Sequence, residues 1–414
     1  MFRKISGTKD ILPQEADVLQ QIEVTSRNIF SLYGYRQIRT PILEDAALFD
    51  RSLGKSAEIV QKQMFLIKNK EEVYALRPEG TAGIVRAYIE NNLDKSLGFA
   101  KLYYLGPMFR FERPQKGRLR QFHHIGAEAI GSTAAELDAE VISLANSLLQ
   151  GFGISGYKIK INSLGCAKDR KGLSDSLQRW LKGKAGDLCP DCQQRLEKNA
   201  LRVLDCKNES CRAVVDKLDI TGGHLCPECA AHFLRVKECL DISGISYEVS
   251  PRLVRGLDYY TRTVFEITHP DLGAQDAIGA GGRYDDLVKE LGGPVAPAIG
   301  FAFGVERLLL ATSDQRPATS DHLVYLITLG QEAKKEGLKI LQELRGSGVA
   351  CDTDYEEKSL KGAMRRANDL GATSVLIIGD DELKKNVITL KDMANSQQRE
   401  ISRQDIVKEL RSSC

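Results

Sequence analysis

The sequence predicts a mixed α/β (α+β) protein with more than one domain, and three observations lead to that prediction. Two β-rich runs, residues 101–112 and 121–131, flank a polar loop and indicate an antiparallel hairpin. Residues 168–240 are charged, rich in cysteine and helical in pattern, which is typical of an insertion. From His322 onward, apolar strands alternate with helices, which favours a separate small α/β domain with a partly parallel sheet.

The N-terminal part supplies a helix and two strands. Apolar residues recur at helical spacing over residues 13–33 and predict an amphipathic helix. Residues 35–43, YRQIRTPIL, predict a strand at an edge or an interface, because Pro41 cannot donate a ladder hydrogen bond. Residues 73–81, VYALRPEGT, predict a short strand that runs into a loop.

Strand-like, glycine-rich sequence resumes after the insertion. Residues 298–312 predict a strand that leads directly into a helix, and residues 313–321 have the composition of a linker. We therefore expect a core in two parts, an insertion between them, a linker and a last domain. The expected boundaries are 1–167, 168–240, 241–312, 313–321 and 322–414.

Composition narrows the class of protein. The chain has 414 residues, 42% of them hydrophobic, and a formal net charge of only +2, so any basic cluster is local and marks one anionic ligand site or one nucleic-acid face. The N-terminus has no apolar core of signal-peptide length, and no apolar run is long enough for a membrane helix. We expect a cytoplasmic protein whose ten cysteines are thiols or metal ligands.

The loop of the predicted hairpin concentrates basic and aromatic residues. Guanidinium groups bind phosphate through paired donors, and aromatic faces stack on purines. Arg110 and Arg118 are therefore candidates to hold a triphosphate while Phe122 covers an adenine. A Walker loop would be the commoner answer, but FDRSLGKS has Phe49 where the first glycine belongs. A solvated charged loop remains the alternative.

A further arginine, Arg307, stands at the end of the apolar strand in AIGFAFGVERLLL. Alternate residues of that strand would face a core, so Arg307 is expected to emerge at its end. The alternative is a purely structural role, in which the charges at the start of this helix form an ion pair between Glu306 and a neighbouring residue.

Taken together, these segments resemble the class II aminoacyl-tRNA synthetases. TPILE at 40–44 is similar to their motif 1, FRFERPQKGRLRQFHHIGAE at 109–128 to motif 2, and AIGFAFGVERLLL at 298–310 to motif 3. RGLDYYTRTVFE at 255–266 and GAGGRYDDLV at 279–288 resemble the two signature peptides of the histidyl-tRNA synthetases. The RPEGT sequence that ends at Thr81 fits the same family.

The resemblance implies an antiparallel catalytic sheet flanked by helices, an anticodon-binding α/β domain at the C-terminus and a homodimer formed through motif 1. It implies that L-histidine attacks ATP, with Mg²⁺, to give histidyl-adenylate and pyrophosphate. The histidyl group would then pass to the 3′-terminal adenosine of tRNA(His).

The resemblance also implies a role for each residue that matches a motif. The residues implied at the reacting phosphate are Arg255, Arg110 and Arg307. Those implied for ATP are Arg110, Glu112, Arg118, Phe122 and Arg307. Those implied for histidine are Glu79, Gly80, Thr81, Arg110, His124, Glu128, Arg255, Tyr259, Tyr260 and Tyr284. Arg113 and Gln115 are implied to approach the acceptor end of tRNA.

One residue departs from the family pattern. His124 stands where the family usually has glutamine in motif 2. A neutral imidazole nitrogen donates or accepts one hydrogen bond, whereas an amide offers both functions. The contact of His124 with substrate is therefore open, and we interpret the neighbouring His123 as a packed, structural histidine.

The insertion carries two CxxC pairs, Cys189 with Cys192 and Cys226 with Cys229. Four thiolates suit tetrahedral zinc, so these four cysteines are candidate ligands of one structural Zn²⁺. Cys206 and Cys211 form a third, looser pair. The resemblance implies no metal here, and reduced, partly buried thiols are the alternative.

Two other functions compete with catalysis. A regulatory paralogue of the synthetase binds histidine and controls the first enzyme of histidine biosynthesis, but it usually lacks the last domain and has a degraded first signature peptide. This chain keeps Arg255, Asp258, Tyr259 and Tyr260 and has a full last domain. A zinc-ribbon nucleic-acid binder would explain the cysteines but not the arginines at the ends of apolar strands.

Overall fold

A computed structural model describes residues 2–54, 57, 59–218, 223–273, 276–312, 323–356 and 358–411. The chain divides into two units, Met1–Pro317 and Ala318–Cys414. The predicted linker over 313–321 lies outside the described residues. Within the described ranges, no helix is both long enough and apolar enough to cross a membrane.

The first unit is built around strands with helices on either side. Its strands are β1 (Arg36–Gln37), β2 (Leu43–Asp45), β3 (Phe65–Asn69), β4 (Glu72–Leu76), β5 (Ala100–Phe109), β6 (Gln121–Ile130), β7 (Lys158–Ser163), β8 (Glu248–Val249), β9 (Thr261–Thr268), β10 (Ala277–Arg283) and β11 (Ala298–Gly304). Its helices are α1 (Pro13–Leu32), α2 (Ala46–Leu53), α3 (Thr81–Glu90), α4 (Leu93–Leu97), α5 (Ala135–Gly151), α6 (Ala167–Lys182), α7 (Pro190–Lys198), α8 (Glu209–Val215), α9 (Pro227–Ile242), α10 (Leu287–Glu290) and α11 (Val305–Ala311). Single turns of π or 3₁₀ helix occur at Ile59–Gln63, Ala185–Asp187, Ala200–Val203 and Pro270–Leu272.

An eight-stranded sheet in the order β1-β5-β6-β11-β10-β9-β7-β8 forms the centre of this unit. The six inner strands pair antiparallel, while β1 and β8 add parallel edges. A smaller antiparallel sheet has the order β2-β4-β3. The long β5–β6 hairpin and the antiparallel sheet with its helices confirm the predicted fold class.

The large sheet is buried on both faces, because neighbouring residues of a strand point to opposite sides. On β5, Leu102 packs in one apolar cluster and Tyr103 in the other. The predicted first helix is confirmed, and its Phe30 stacks on Tyr103 with ring centroids 4.4 Å apart. On the opposite face, Leu181 of α6 shares a cluster with Tyr260, so the cysteine-rich segment packs against the same face as the signature peptide.

The prediction of one strand over 35–43 is wrong. Strand pairing stops after β1 and resumes in β2, and Pro41 lies in the irregular segment between them. Pro41 offers no N–H, and the Arg77 side chain donates to the carbonyl and hydroxyl oxygens of Thr40 at 3.0 and 3.1 Å. An arginine thus takes the hydrogen bonds that a neighbouring strand would have supplied.

The second unit confirms the predicted alternation of strands and helices. Its elements are β12 (Val324–Thr328), α12 (Gln331–Gly346), β13 (Cys351–Thr353), α13 (Leu360–Asp369), β14 (Ser374–Ile378), α14 (Asp380–Lys385), β15 (Val387–Asp392), β16 (Gln398–Ser402) and α15 (Ile406–Arg411). The strand order is β13-β12-β14-β15-β16, with the first three strands parallel and the last two antiparallel. The sheet is therefore partly parallel, as expected.

Candidate active site

A cavity of about 230 Å³ opens over the centre of the large sheet. On β6, Phe122, His124 and Glu128 line it, while Ile125 and Ala127 point into the core on the other side. The cavity gathers thirteen of the residues named from the sequence: Glu79, Thr81, Arg110, Glu112, Arg118, Phe122, His124, Glu128, Arg255, Tyr259, Tyr260, Tyr284 and Arg307. Gly80, Arg113 and Gln115 are not among its lining residues.

Glu128 forms a buried acidic end of the cavity. Its Oε1 accepts a hydrogen bond from the Thr81 hydroxyl at 2.7 Å, and its Oε2 accepts one from the Tyr284 hydroxyl at 2.5 Å. Burial, the largest cause, raises the pKa of Glu128 to about 8, although both hydroxyls favour the charged form. The carboxyl group is therefore held in place and is poised to gain or lose a proton near neutral pH.

Glycines make room for the large side chains around this end. Gly300 lies opposite Glu128 in the pairing of β11 with β6. A Cβ atom would lie 2.4 Å from the Tyr104 ring at Gly80 and 2.5 Å from it at Gly126. Neither position therefore tolerates a side chain. Sequence reasoning did not identify Tyr104, Gly126 or Gly300. The alternation along β5 and β6 was the available signal for Tyr104 and Gly126, since it puts both residues on the face that carries Glu128.

Glu79 lies at the N-terminus of α3. Its carboxylate accepts the backbone N–H groups of Thr81 and Ala82 at 2.6 and 2.9 Å. Burial raises the pKa of Glu79, while the two N–H groups favour the carboxylate. Gly80 precedes the helix and, although it does not line the cavity, allows the close approach of Tyr104. The RPEGT segment thus presents a rigidly held carboxylate to the cavity.

Besides Arg118, three guanidinium groups line the same cavity. Arg110 donates to the Pro78 carbonyl oxygen at 2.9 Å and lies over the Phe122 ring, with Cζ 5.3 Å from the centroid. Arg255 bonds Glu266 at 2.7 Å, and its buried Nε has no hydrogen-bond partner among the described residues. Arg307 lies in the first turn of α11, just after the end of β11, and donates to the Ala277 carbonyl oxygen. Such an arrangement is suited to a polyanion.

The hairpin loop forms the outer wall. Arg118 pairs with Glu112 at 3.2 Å, and backbone bonds between Gln115 and Arg118 close the tip. Arg113 and Gln115 are exposed. At the base of the loop, the backbone N–H of Arg120 donates to the Gly7 carbonyl oxygen at 2.7 Å. The loop is therefore anchored at its base and presents its tip to solvent.

The two histidines of motif 2 have different environments. His123 hydrogen-bonds Glu306 through Nδ1 at 2.9 Å, which agrees with a packed, structural role for this histidine. The same contact gives the Glu306 carboxylate a hydrogen-bond partner. His124 faces the cavity, and burial, followed by repulsion from Arg110 and Arg77, lowers its pKa to about 3. Its Nδ1 is buried without a hydrogen-bond partner in the described part of the chain. His124 is thus a neutral imidazole with one free nitrogen beside the site.

Comparison with known proteins places this geometry in a family. Residues 7–308 match the family described as Histidyl-tRNA synthetase. The chain belongs to this family. Residues 323–413 match a second family, described as Anticodon binding domain. The resemblance seen in the motifs is therefore confirmed, and it extends over both units.

Full-length relatives agree with this assignment. The chain is 45% identical over 405 residues to the histidine–tRNA ligase of Desulforamulus reducens, covering 97% of each chain. It is 46% identical over 412 residues to the histidine–tRNA ligase of Solibacter usitatus, covering 99% of each. Among solved structures, apo histidyl-tRNA synthetase from S. aureus matches with a TM-score of 0.82 and 35% identity, covering 99% of this chain and 100% of that one.

The cysteines of this family member fall into two groups, so the single zinc site predicted from Cys189, Cys192, Cys226 and Cys229 is wrong. Cys189 and Cys192 lie with Cys206 and Cys211, and their sulfur atoms are all within 4.8 Å of one another. Cys226 and Cys229 lie instead with Cys166 and Asp169. CxxC spacing predicts that two thiols share a site, but contacts between segments distant in the sequence decide which other residues join them. The nine cysteines that the structure describes are free thiols.

Proposed function

We propose that this chain activates L-histidine with ATP and transfers the histidyl group to the 3′-terminal adenosine of tRNA(His). The observation that carries the proposal is one cavity with opposite chemical ends. Glu79 and Glu128 form an acidic end suited to an amino group and an imidazole. Arg110, Arg255 and Arg307 form a cationic end suited to a carboxylate and phosphates. The family supplies the reaction that uses both ends.

The histidine substrate would lie with its side chain toward Glu128. Glu79, held by the N-terminus of α3, accepts the α-ammonium group together with the Thr81 hydroxyl. Glu128 binds one imidazole nitrogen and the Tyr260 hydroxyl meets the other, while Tyr259 and Tyr284 complete the pocket. Support for this orientation comes from the Tyr284 and Thr81 hydroxyls, which already fix the Glu128 carboxyl group. His124, with its free Nδ1, can accept one further donor from the substrate.

ATP would occupy the arginine end. Arg110 bridges the α-phosphate and the substrate carboxylate, Glu112 and Arg118 contact the nucleotide, and Arg307 lies toward the γ-phosphate. Phe122 stacks on adenine, using the face that Arg110 does not cover. Mg²⁺ prefers oxygen ligands and would enter with the phosphates. Carboxylates suited to it are Glu112 in the cavity wall and Glu266 beside Arg255.

The chemical step is attack by the histidine carboxylate on the α-phosphorus, which forms histidyl-adenylate and expels pyrophosphate. The residues act by holding the two reactants in line and by stabilising negative charge as it grows on the phosphate oxygens. Arg255 is assigned to that charge, since one of its donors is fixed by Glu266 and its Nε is available. Tyr259, Tyr260 and the hairpin loop limit access of water to the adenylate.

Membership of the same family also supports proposals about the tRNA contacts, the oligomeric state and the domain boundaries of this chain. Arg113 and Gln115, exposed at the loop tip, would meet the acceptor end of tRNA, and the second unit would bind its anticodon. We propose a cytoplasmic homodimer formed through the segment around Pro41. The domain division is 1–167 and 241–312 for the catalytic core, 168–240 for the insertion and 322–414 for the anticodon-binding domain.

Histidine-dependent exchange of labelled pyrophosphate into ATP tests the activity, and charging of tRNA(His) tests the second step. A regulatory paralogue or a noncatalytic zinc-ribbon protein would give no exchange, so a complete absence of exchange contradicts the proposal. Light scattering at micromolar concentration tests the dimer. Only the monomer mass, 45.8 kDa, would contradict it.

A further inference from the structure

We infer that Cys189, Cys192, Cys206 and Cys211 bind one structural zinc ion. The Sγ atoms of Cys189 and Cys206 are 3.8 Å apart. Zinc–thiolate bonds of about 2.3 Å in a tetrahedron put neighbouring sulfur atoms about 3.8 Å apart, whereas a disulfide bond is only about 2.05 Å long. The observed separation therefore fits two ligands of a common ion and does not fit a disulfide.

The surroundings of the four thiols match a closed metal site. Cys192 and Cys211 are completely buried, and Cys189 and Cys206 are partly buried beside them. The backbone N–H of Cys189 donates to the Sγ of Cys211 at 3.1 Å. Hydrogen bonds of this kind from the surrounding protein orient metal ligands and stabilise their negative charge. With four protein sulfurs and no open position, the site is structural rather than catalytic.

The thiol pairs bracket a segment, residues 193–205, that contacts the first signature peptide. Asn199 donates from Nδ2 to Oδ1 of Asp258 at 2.7 Å. Ala200 and Val203 of the segment pack in the same apolar cluster as Val254 and Tyr259, which lie on either side of residues 255–258. A zinc ion that joins both ends of the segment would limit its motion and so position the Arg255–Asp258 peptide. This positioning role, unlike the metal site itself, rests on the proposed function.

Elemental analysis tests the metal site without any assay of activity. Protein purified without chelator is compared with the double variant Cys192→Ser/Cys211→Ser and with the matched control Cys226→Ser/Cys229→Ser, which alters the other cysteine group. We expect the first variant to contain about one zinc per chain less than the parent, while the control keeps that ion. Equal zinc in the parent and the first variant would overturn the inference, as would a parent with less than about a tenth of an ion per chain.

A second measurement uses the unmodified chain, in case the serine variant does not fold. Replacement of zinc by Co²⁺ should give the visible absorption bands of tetrahedral cobalt thiolate. Mercurial titration of the zinc protein should release one ion as the protected thiols react, and peptide mapping should assign those thiols to the four cysteines. If these four thiols react freely before any metal is released, the inference is wrong.

The positioning role is tested by removing zinc and then restoring it. We expect the KM for histidine in pyrophosphate exchange to rise about tenfold in the stripped protein, with a smaller change for ATP, and to recover when zinc is added. An unchanged KM for histidine in a protein that does bind zinc would overturn the positioning role alone. No exchange even in the zinc-loaded protein would instead count against the proposed function.

Discussion

Glu128 on β6 lies directly opposite Gly300 on β11, and its carboxyl group occupies the space that a side chain at residue 300 would need. A Cβ atom at Gly300 would lie 1.7 Å from Oε2 of Glu128 and 2.5 Å from the carbonyl oxygen of Ala127. The acidic end of the cavity therefore requires glycine at position 300 as well as the carboxyl group of Glu128.

The substitution Gly300→Ala should displace Glu128 and lower histidine-dependent pyrophosphate exchange by about 10²-fold, because misplacement by about 1 Å costs that much in a preorganised site. The control is Gly183→Ala, where a Cβ atom meets nothing within 4 Å. Circular dichroism should show both variants folded. Full exchange activity in Gly300→Ala would show that the position of Glu128 does not matter.

Replacing Glu128 by alanine should weaken the use of histidine strongly and leave ATP binding intact. A pocket that hydrogen-bonds its substrate loses up to about 10⁴-fold when its polar groups are unpaired. Exchange rates measured against histidine concentration, together with a separate titration of ATP, would separate the two effects. Glu136→Ala, at an exposed carboxylate, serves as the control. An equal loss of ATP affinity would contradict the division of the cavity into two ends.

The raised pKa of Glu128 makes a prediction about stability. The ordinary pKa of a glutamate is 4.5 and that of Glu128 is raised to about 8 by burial, so between these values the folded state keeps a proton that the unfolded state has lost. The contribution of Glu128 to the free energy of unfolding should therefore fall as the pH rises from about 4.5 to about 8. Glu128→Gln cannot titrate. The Tm of this variant minus that of the parent should increase from about pH 5 to about pH 9, and a constant difference would mean that Glu128 is not shifted.

Arg255→Ala should lower the rate of adenylate formation by about 10²–10³-fold, as expected for the loss of one group that stabilises charge in a transition state. Single-turnover formation of adenylate measures this step directly. The matched control is Arg252→Ala, because Arg252 is a neighbouring surface arginine paired with Asp216. A near-normal single-turnover rate in Arg255→Ala would reject the assignment.

The sequence predicted those parts of the site that depend on local patterns. Arg307 was expected where an apolar strand ends and a helix begins, and that is where α11 presents it. The hairpin and its alternation likewise put Phe122 and Glu128 on one face of β6. In each case the information lies within a few residues, in the period of the strand or the helix.

The remaining features depend on contacts between distant segments. The strand expected around Pro41 is interrupted because Arg77, which directly follows β4, donates to the carbonyl oxygen of Thr40. The role of Gly300 appears only when β11 is laid beside β6. The cysteines regroup because Cys226 lies beside Cys166, which precedes the insertion, rather than beside Cys189. Spacing along the chain carries no information about such contacts.

The pairing of β6 with β11 also determines when the protein can first acquire its site during synthesis. The residues of β6 leave the ribosome well before those of β11, and the whole cysteine-rich segment is made between them. Until β11 arrives, the inner edge of β6 lacks its native neighbour, and an unpaired edge invites pairing with another chain. A nascent chain halted before residue 298 should therefore depend on chaperones and should not bind histidine, however completely its N-terminal hairpin has formed.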